Sequence, residues 1–165
     1  MTKEIKLTQG QVALVDDDDF AWLSQWKWHL YSNGGNNLYA RTWDGVGANR
    51  KLITMHRLIL RAKDGECGDH RNGNGLDNCR CNLRICTNAQ NMANRGKTAS
   101  NKSGYKGVNF HKARRKWRAY INANSKHYHL GLFDTPREAA LAYNSACPQY
   151  HGEFACLNNI RESMP

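Results

Sequence analysis

A chain of 165 residues, 40% hydrophobic and 10% aromatic, can build one medium core or two small ones. No apolar run approaches the ~20 residues of a membrane span, and the N-terminal stretch MTKEIKLTQGQVALV lacks the apolar centre of a signal peptide, which points to a cytoplasmic protein away from membranes. The net charge is +10, with seven basic and six acidic residues over 1–60, seven and four over 61–98, and ten and four over 99–165, so the excess suits a polyanionic partner of the last third.

In chain order, Ile5 to Val15 holds two strand-like runs about Thr8-Gln9-Gly10. The acidic run Asp16 to Asp19 lacks the spaced ligands and later Glu of a calcium loop. It suits the positive end of a helix continuing through Phe20-Ala21-Trp22-Leu23. Trp26 to Tyr31 reads as a strand, Asn33-Gly34-Gly35-Asn36-Asn37 as a turn, and Leu38 to Thr42 and Lys51 to Met55 as further strands. Trp22, Trp26, Trp28, Tyr31, Tyr39 and Trp43 are assigned to packing. His56 opens a short helix, HRLIL, and is either a structural hydrogen-bonding residue or an accessory active-site group or phosphate contact.

The stretch Glu66 to Arg95 organises the chain. A strand ends at His70, because Asn72-Gly73-Asn74-Gly75 favours tight turns. A second strand covers roughly Arg80 to Cys86, and Thr87 or Asn88 caps a short helix carrying Asn91. Asn82 follows His70 by twelve positions and Asn91 follows it by twenty-one. Folding the hairpin back lets Asp69, His70 and Asn91 converge. A neutral imidazole, with an ordinary pKa near ~6.5, is a base for water at neutral pH. A carboxylate and an amide carbonyl are hard oxygen donors that suit Mg²⁺ or Mn²⁺. Cys67, Cys79, Cys81 and Cys86 lie in the same stretch, but their C-x(11)-C-x-C-x(4)-C spacing departs from the paired C-x(2–4)-C of zinc sites, so structural Zn²⁺ is the lesser reading. Disulfides are not expected without secretion.

The matched positions Asp69, His70, Asn72, Gly73, Asn74, Asp77, Asn78, Asn82, Leu83 and Asn91 resemble the HNH (ββα-metal) nuclease motif of phage and intron-borne homing endonucleases. That resemblance implies that His70 is the general base, that Asp69 and Asn91 hold one Mg²⁺ or Mn²⁺, and that Asn82 braces the loop and orients His70. It also implies work on nucleoid DNA in a bacterial or phage-infected cell.

Residues 96–102 are small, polar and basic and read as a linker between a nuclease region, 1–95, and a second domain, 103–158, with 159–165 as a tail. In the second domain Tyr105 to His111, Lys116 to Ala123 and Lys126 to Phe133 are strand-like. Trp117, Ala119, Ile121 and Ala123 alternate inward against Lys116, Arg118, Tyr120 and Asn122. Thr135-Pro136-Arg137-Glu138 is a helix start, and Pro148 is expected to end or kink that helix. The runs Tyr105-Lys106-Gly107-Val108, Lys116-Trp117-Arg118-Ala119, Leu130-Gly131-Leu132-Phe133 and Glu138-Ala139-Ala140 resemble the AP2 DNA-binding domain. The resemblance implies a sheet in the major groove with Lys106, Asn109, His111, Arg114, Arg118, Tyr120, Asn122, His127 and His129 facing DNA.

The expected fold class is therefore α+β: a β-rich N-terminal piece leading into a ββα-metal module, then a three-stranded antiparallel sheet with one helix. The expected function is a metal-dependent endonuclease acting on double-stranded DNA, monomeric and so nicking. The alternative is a catalytically inactive, sequence-specific DNA-binding regulator.

Overall fold

The computed structural model describes residues 1–32, 37–45, 48 and 50–160, so the Asn33-Gly34-Gly35-Asn36 part of the expected turn lies outside the described residues. The fold is mixed α/β, and the described strands form four small antiparallel sheets beside one long helix. The chain divides into two compact units, Met1–Asn88 and Ala89–Pro165. No helix among the described residues is long and apolar enough to cross a membrane.

In the first unit β1 (Thr2–Lys6) pairs with β2 (Val12–Asp16) around a 3-10 turn, Thr8–Gly10. Alternation buries Ala13 and Val15 completely on one side of β2. Helix α1 (Asp17–Leu23) carries Asp17, Asp18 and Asp19 in its first turn, where carboxylates favour the dipole. Asp19 is buried: it accepts from Trp22 Nε1 at 3.0 Å and from Arg80 Nε and Nη2 at 2.7 Å each. Asp16 accepts the backbone N–H of Arg80 at 2.7 Å. The acidic run thus starts a helix and fastens a distant loop.

The next sheet has the order β3 (His29–Ser32), β4 (Leu38–Asp44), β5 (Lys51–Thr54). Trp26 and Trp28 precede β3 rather than belong to it. The N–H of Trp26 bonds Leu23 O at the end of α1, and Trp28 Nε1 donates to the same carbonyl at 2.8 Å. The tryptophans therefore close a helix end instead of pairing with β4. Helix α2 (Met55–Leu60) follows β5 directly and buries Met55 and Ile59 in the core with Leu23 and Trp28.

Strand β6 (Cys67–His70) pairs with β7 (Leu83–Cys86), placing Asp69 opposite Arg84 and His70 opposite Leu83. The second strand was expected from Arg80; instead Arg80–Asn82 is a 3-10 turn. The cause is the Asp16 and Asp19 clamp on Arg80, together with the Asn82 N–H bonded to Cys79 O. Upstream of it, Leu76 and Asn78 bond the two sides of Leu14, which fixes the β6–β7 loop to the edge of β2. Helix α3 (Asn88–Asn94) follows β7.

In the second unit β8 (Val108–His111), β9 (Lys116–Ala123) and β10 (Lys126–Phe133) form a meander with β9 central. The first of these was expected from Tyr105. It begins later because Gly107 takes φ +70° and the Lys106 backbone is held on both sides by the Asn158 side chain, at 2.7 and 3.0 Å. A Cβ on Gly107 would lie 2.2 Å from the Tyr143 ring. Helix α4 (Pro136–His151) starts with a full capping box between Thr135 and Glu138 and buries Ala139, Ala140 and Tyr143 on the side that packs against Val108, Ala119 and Ile121. Pro148 does not end it. So near the C-terminus proline removes a single ladder bond, and the Gly152 N–H still bonds Pro148 O.

Candidate active site

The β6–β7 loop is built from amide side chains folded onto backbone. Asn82 Oδ1 accepts the Asn72 N–H at 3.0 Å and Asn82 Nδ2 donates to Asp77 O at 2.8 Å. Asn72 Nδ2 donates to Asp77 Oδ2 at 2.7 Å, Asn72 Oδ1 accepts the Asn74 N–H, and Asn74 Oδ1 accepts the Leu76 N–H. Such side chains mimic turns, which is why an Asn/Gly run with no apolar content holds one shape.

At the mouth of this loop His70 is 5% exposed and its Nε2 lies 3.3 Å from Asn78 Oδ1, with Asn78 fully buried. The tautomer with a proton on Nε2 donates to that oxygen and makes Nδ1 the basic nitrogen. Burial lowers the His70 pKa below its usual value, while the Asn78 bond and the Asp69 and Asp77 carboxylates oppose that shift. Asn78 belongs to the motif, yet spacing alone points to Asn82, not Asn78, as the residue that orients the imidazole.

Two further rings pack on His70. The His56 ring lies edge-on at 4.8 Å and the Tyr39 ring at 6.0 Å, with Tyr39 and His56 5.8 Å apart. Two glycines make room for them. A Cβ on Gly68 would meet His56 Cδ2 at 2.5 Å, and one on Gly75 would meet Leu38 O at 2.2 Å and the Tyr39 ring at 2.7 Å. His56 is buried, and burial, the neighbouring His70 and Arg57 lower its pKa to about 3, so it is neutral at physiological pH. Composition assigns Tyr39 to packing alone, because no local pattern links it to a histidine thirty-one positions on.

Asp69, also buried, takes Arg84 Nε and Nη2 on Oδ2, both at 2.8 Å, as a cross-strand pair. Asp69 is a hard oxygen donor and so fits Mg²⁺ or Mn²⁺ in chemical type, although Arg84 already balances its charge. Asn91 sits half-buried on α3, in the second unit, and its carbonyl accepts the Arg95 N–H. Among the described residues no three His, Cys, Asp or Glu side chains gather as a metal cluster. Cys79 and Cys81 flank and enter the 3-10 turn Arg80–Asn82, one buried and one exposed. Burial raises Cys79 to about 12 and Cys86 to about 11, so both are thiols rather than thiolates.

The outer face of the second unit's sheet carries a connected polar row. Arg118 Nε donates to Asn109 Oδ1 at 3.1 Å and its guanidinium lies 5.6 Å from the Tyr120 ring centre. Tyr120 stacks on His127 at 4.8 Å, and His127 Nδ1 lies 2.7 Å from Asn122 Oδ1. His129 is exposed opposite Tyr120. His111 and Arg114 lie together at the β8–β9 turn, where His111 Nδ1 accepts the Arg114 N–H. Lys106 is not in this row: its ammonium donates to the Ala93 and Arg95 carbonyls at the end of α3, and burial lowers its pKa.

Neither a family model nor a solved structure matches the chain. It is 29% identical over 154 residues to a protein of Acanthamoeba polyphaga mimivirus named as an uncharacterized HNH endonuclease, covering 92% of this chain and 77% of that one. It is 33% identical over 87 residues to protein 3.8 of Escherichia phage T7, covering 53% of this chain and 71% of the phage protein. The chain belongs to the family of that phage protein, and its likeness to the mimivirus protein over most of its length supports an HNH-type nuclease.

Proposed function

We propose that the chain is a metal-dependent DNA endonuclease in which His70 is the general base and Asp69, with Asn91, holds one Mg²⁺ or Mn²⁺. The observation that carries this reading is the setting of His70: a neutral, buried imidazole beside a carboxylate, fixed by Asn78 and by two packed rings. When bound, the cation supplies charge stabilisation at the phosphate and the leaving 3′ oxygen.

The protein's own groups do the rest. Nε2–H of His70 donates to Asn78 Oδ1, and Nδ1 takes the proton of the attacking water. His56, being neutral, and Tyr39 hold the ring plane without adding a competing charge. Asn82 keeps the loop closed under the imidazole. The β8–β10 sheet, read as an AP2-like module, grips the duplex through Asn109, His111, Arg114, Arg118, Tyr120, Asn122, His127 and His129, with phosphate contacts setting affinity and base contacts setting selectivity. One motif per monomer cuts one strand, leaving 5′-phosphate and 3′-hydroxyl ends.

Supercoiled plasmid incubated with Mg²⁺ tests this: wild type should yield open circles and His70→Ala should not. The Arg84 guanidinium on Asp69 favours a second reading, a DNA-binding regulator that does not cut. Plasmid left intact by both forms, while both bind it, would establish that reading instead.

A further inference from the structure

The aromatic residues of the β3–β4–β5 sheet are expected from composition to serve packing, and the structure gives the open face of that sheet another character. Alternation sends Leu30, Ala40 and Thr42 to the core side and His29, Tyr31, Tyr39, Arg41 and Trp43 to the other. On that face Arg41 Cζ lies 3.7 Å from the Tyr31 ring centre and Arg50 Cζ 5.2 Å from that of Trp43. Trp43 and Leu52 are 48% and 43% exposed. A shallow concavity of about 270 Å³ is lined by Thr8, Gln9, His29, Arg41, Trp43 and Leu52. Among the described residues of these strands the one carboxylate, Asp44, alternates to the opposite face.

The same face reaches the candidate active site. Tyr39, which packs on His56 and His70, is two residues before Arg41 on β4. That is roughly 7 Å of strand, the axial length of about two nucleotides. We propose that this face is a second DNA-contacting surface, on which Arg41 and Arg50 hold backbone phosphates flanking the bond cut at His70. The proposal rests on the endonuclease reading. Its chemistry is that of a guanidinium held over an aromatic ring, weakly hydrated and shaped for two phosphate oxygens. Exposed Trp43 offers a stacking or sugar contact beside it.

The test is binding of a short duplex to the full chain in EDTA, followed by fluorescence anisotropy across a salt series. Arg41→Ala with Arg50→Ala should lower affinity and reduce the slope of log K against log salt by about 2, one for each phosphate no longer neutralised. Lys6→Ala with Lys63→Ala, an equal reduction of charge elsewhere in the first unit, should change that slope by less than about half as much. Arg41→Gln with Arg50→Gln keeps a planar group on each ring and should match the alanine slope, which covers a folding defect in the alanine protein. An unchanged slope in the glutamine protein, or an equal change in the lysine control, would overturn the proposal. So would a dimer of the wild-type chain that the arginine substitutions dissolve, since the face would then be a self-contact. Plasmid nicking scored in parallel separates the two claims. A reduced slope without nicking by any form supports DNA contact by this face but removes the endonuclease reading, and with it the placement beside a cut bond; an unchanged slope with normal nicking removes only the surface.

Discussion

The β6–β7 site and the outer face of the β8–β10 sheet use similar residues in opposite ways. At the site, Asp69, His70, Asn78, Asn82 and Arg84 are all buried, and His70 Nε2, Asn82 Oδ1 and Arg84 Nε are fixed by partners on other strands and loops. On the sheet, Asn109, Arg118, Tyr120 and Asn122 are half or fully exposed and hold one another along a row. The first arrangement places desolvated groups in advance, as chemistry at one atom requires. The second keeps side chains wet and adjustable, which suits the contact with a long polyanion proposed for it. Substitutions should therefore cost stability at the site and affinity on the sheet.

The largest effect on stability is expected at Arg84. Its replacement by Leu leaves the Asp69 carboxylate buried without its guanidinium, and chemical unfolding in EDTA should show a drop of about 3–5 kcal/mol. Added Mg²⁺ or Mn²⁺ should then raise the unfolding midpoint of this variant more than that of wild type; equal shifts would count against Asp69 as a ligand. Next comes pH. His56 has a folded pKa of about 3 against ~6.5 unfolded, so the unfolded chain binds the extra proton between those values. Stability is full above pH ~6.5 and falls as pH drops toward 3. The melting temperature of His56→Gln should decline less over that window than that of wild type, although buried His70 leaves part of the slope in place.

A smaller effect is expected at Gly75, where an Ala Cβ would press on Leu38 O and the Tyr39 ring. It should cost about 1–3 kcal/mol by overpacking and slow nicking through displacement of Tyr39 from His70. The smallest stability change, within about 0.5 kcal/mol, belongs to Arg118→Ala, which should instead weaken duplex binding and lower the salt slope by about 1. If Arg118→Ala unfolded the protein while Arg84→Leu left it intact, the contrast between the two regions would be wrong.

Local signals were legible wherever structure was local. The alternation of Lys116 to Ala123 and the Thr135–Glu138 capping box mark β9 and the start of α4 to the residue, because strand period and helix cap are written in consecutive positions. Strands β3, β7 and β8 start later than the sequence pattern predicts for one shared reason: the backbone or side-chain groups just before them are held by partners outside the strand. The Trp28 indole meets the end of α1, the Arg80 N–H meets Asp16, sixty-four positions away, and the Lys106 N–H meets Asn158, fifty-two away. The motif spacing pointed to Asp69, His70 and Asn82, but not to Asn78 on the imidazole, Arg84 on the carboxylate or Tyr39 against the ring. Those contacts come from strand register and from two glycines whose missing side chains leave space.

The most direct measurement is the rate of open-circle formation from supercoiled plasmid in Mg²⁺ by wild type and His70→Ala, with duplex binding measured on the same preparations. Wild type should nick, and His70→Ala should bind equally well and nick at least about a hundredfold more slowly, the scale of a missing general base. Equal nicking by the two proteins would contradict the assignment of His70 as the base.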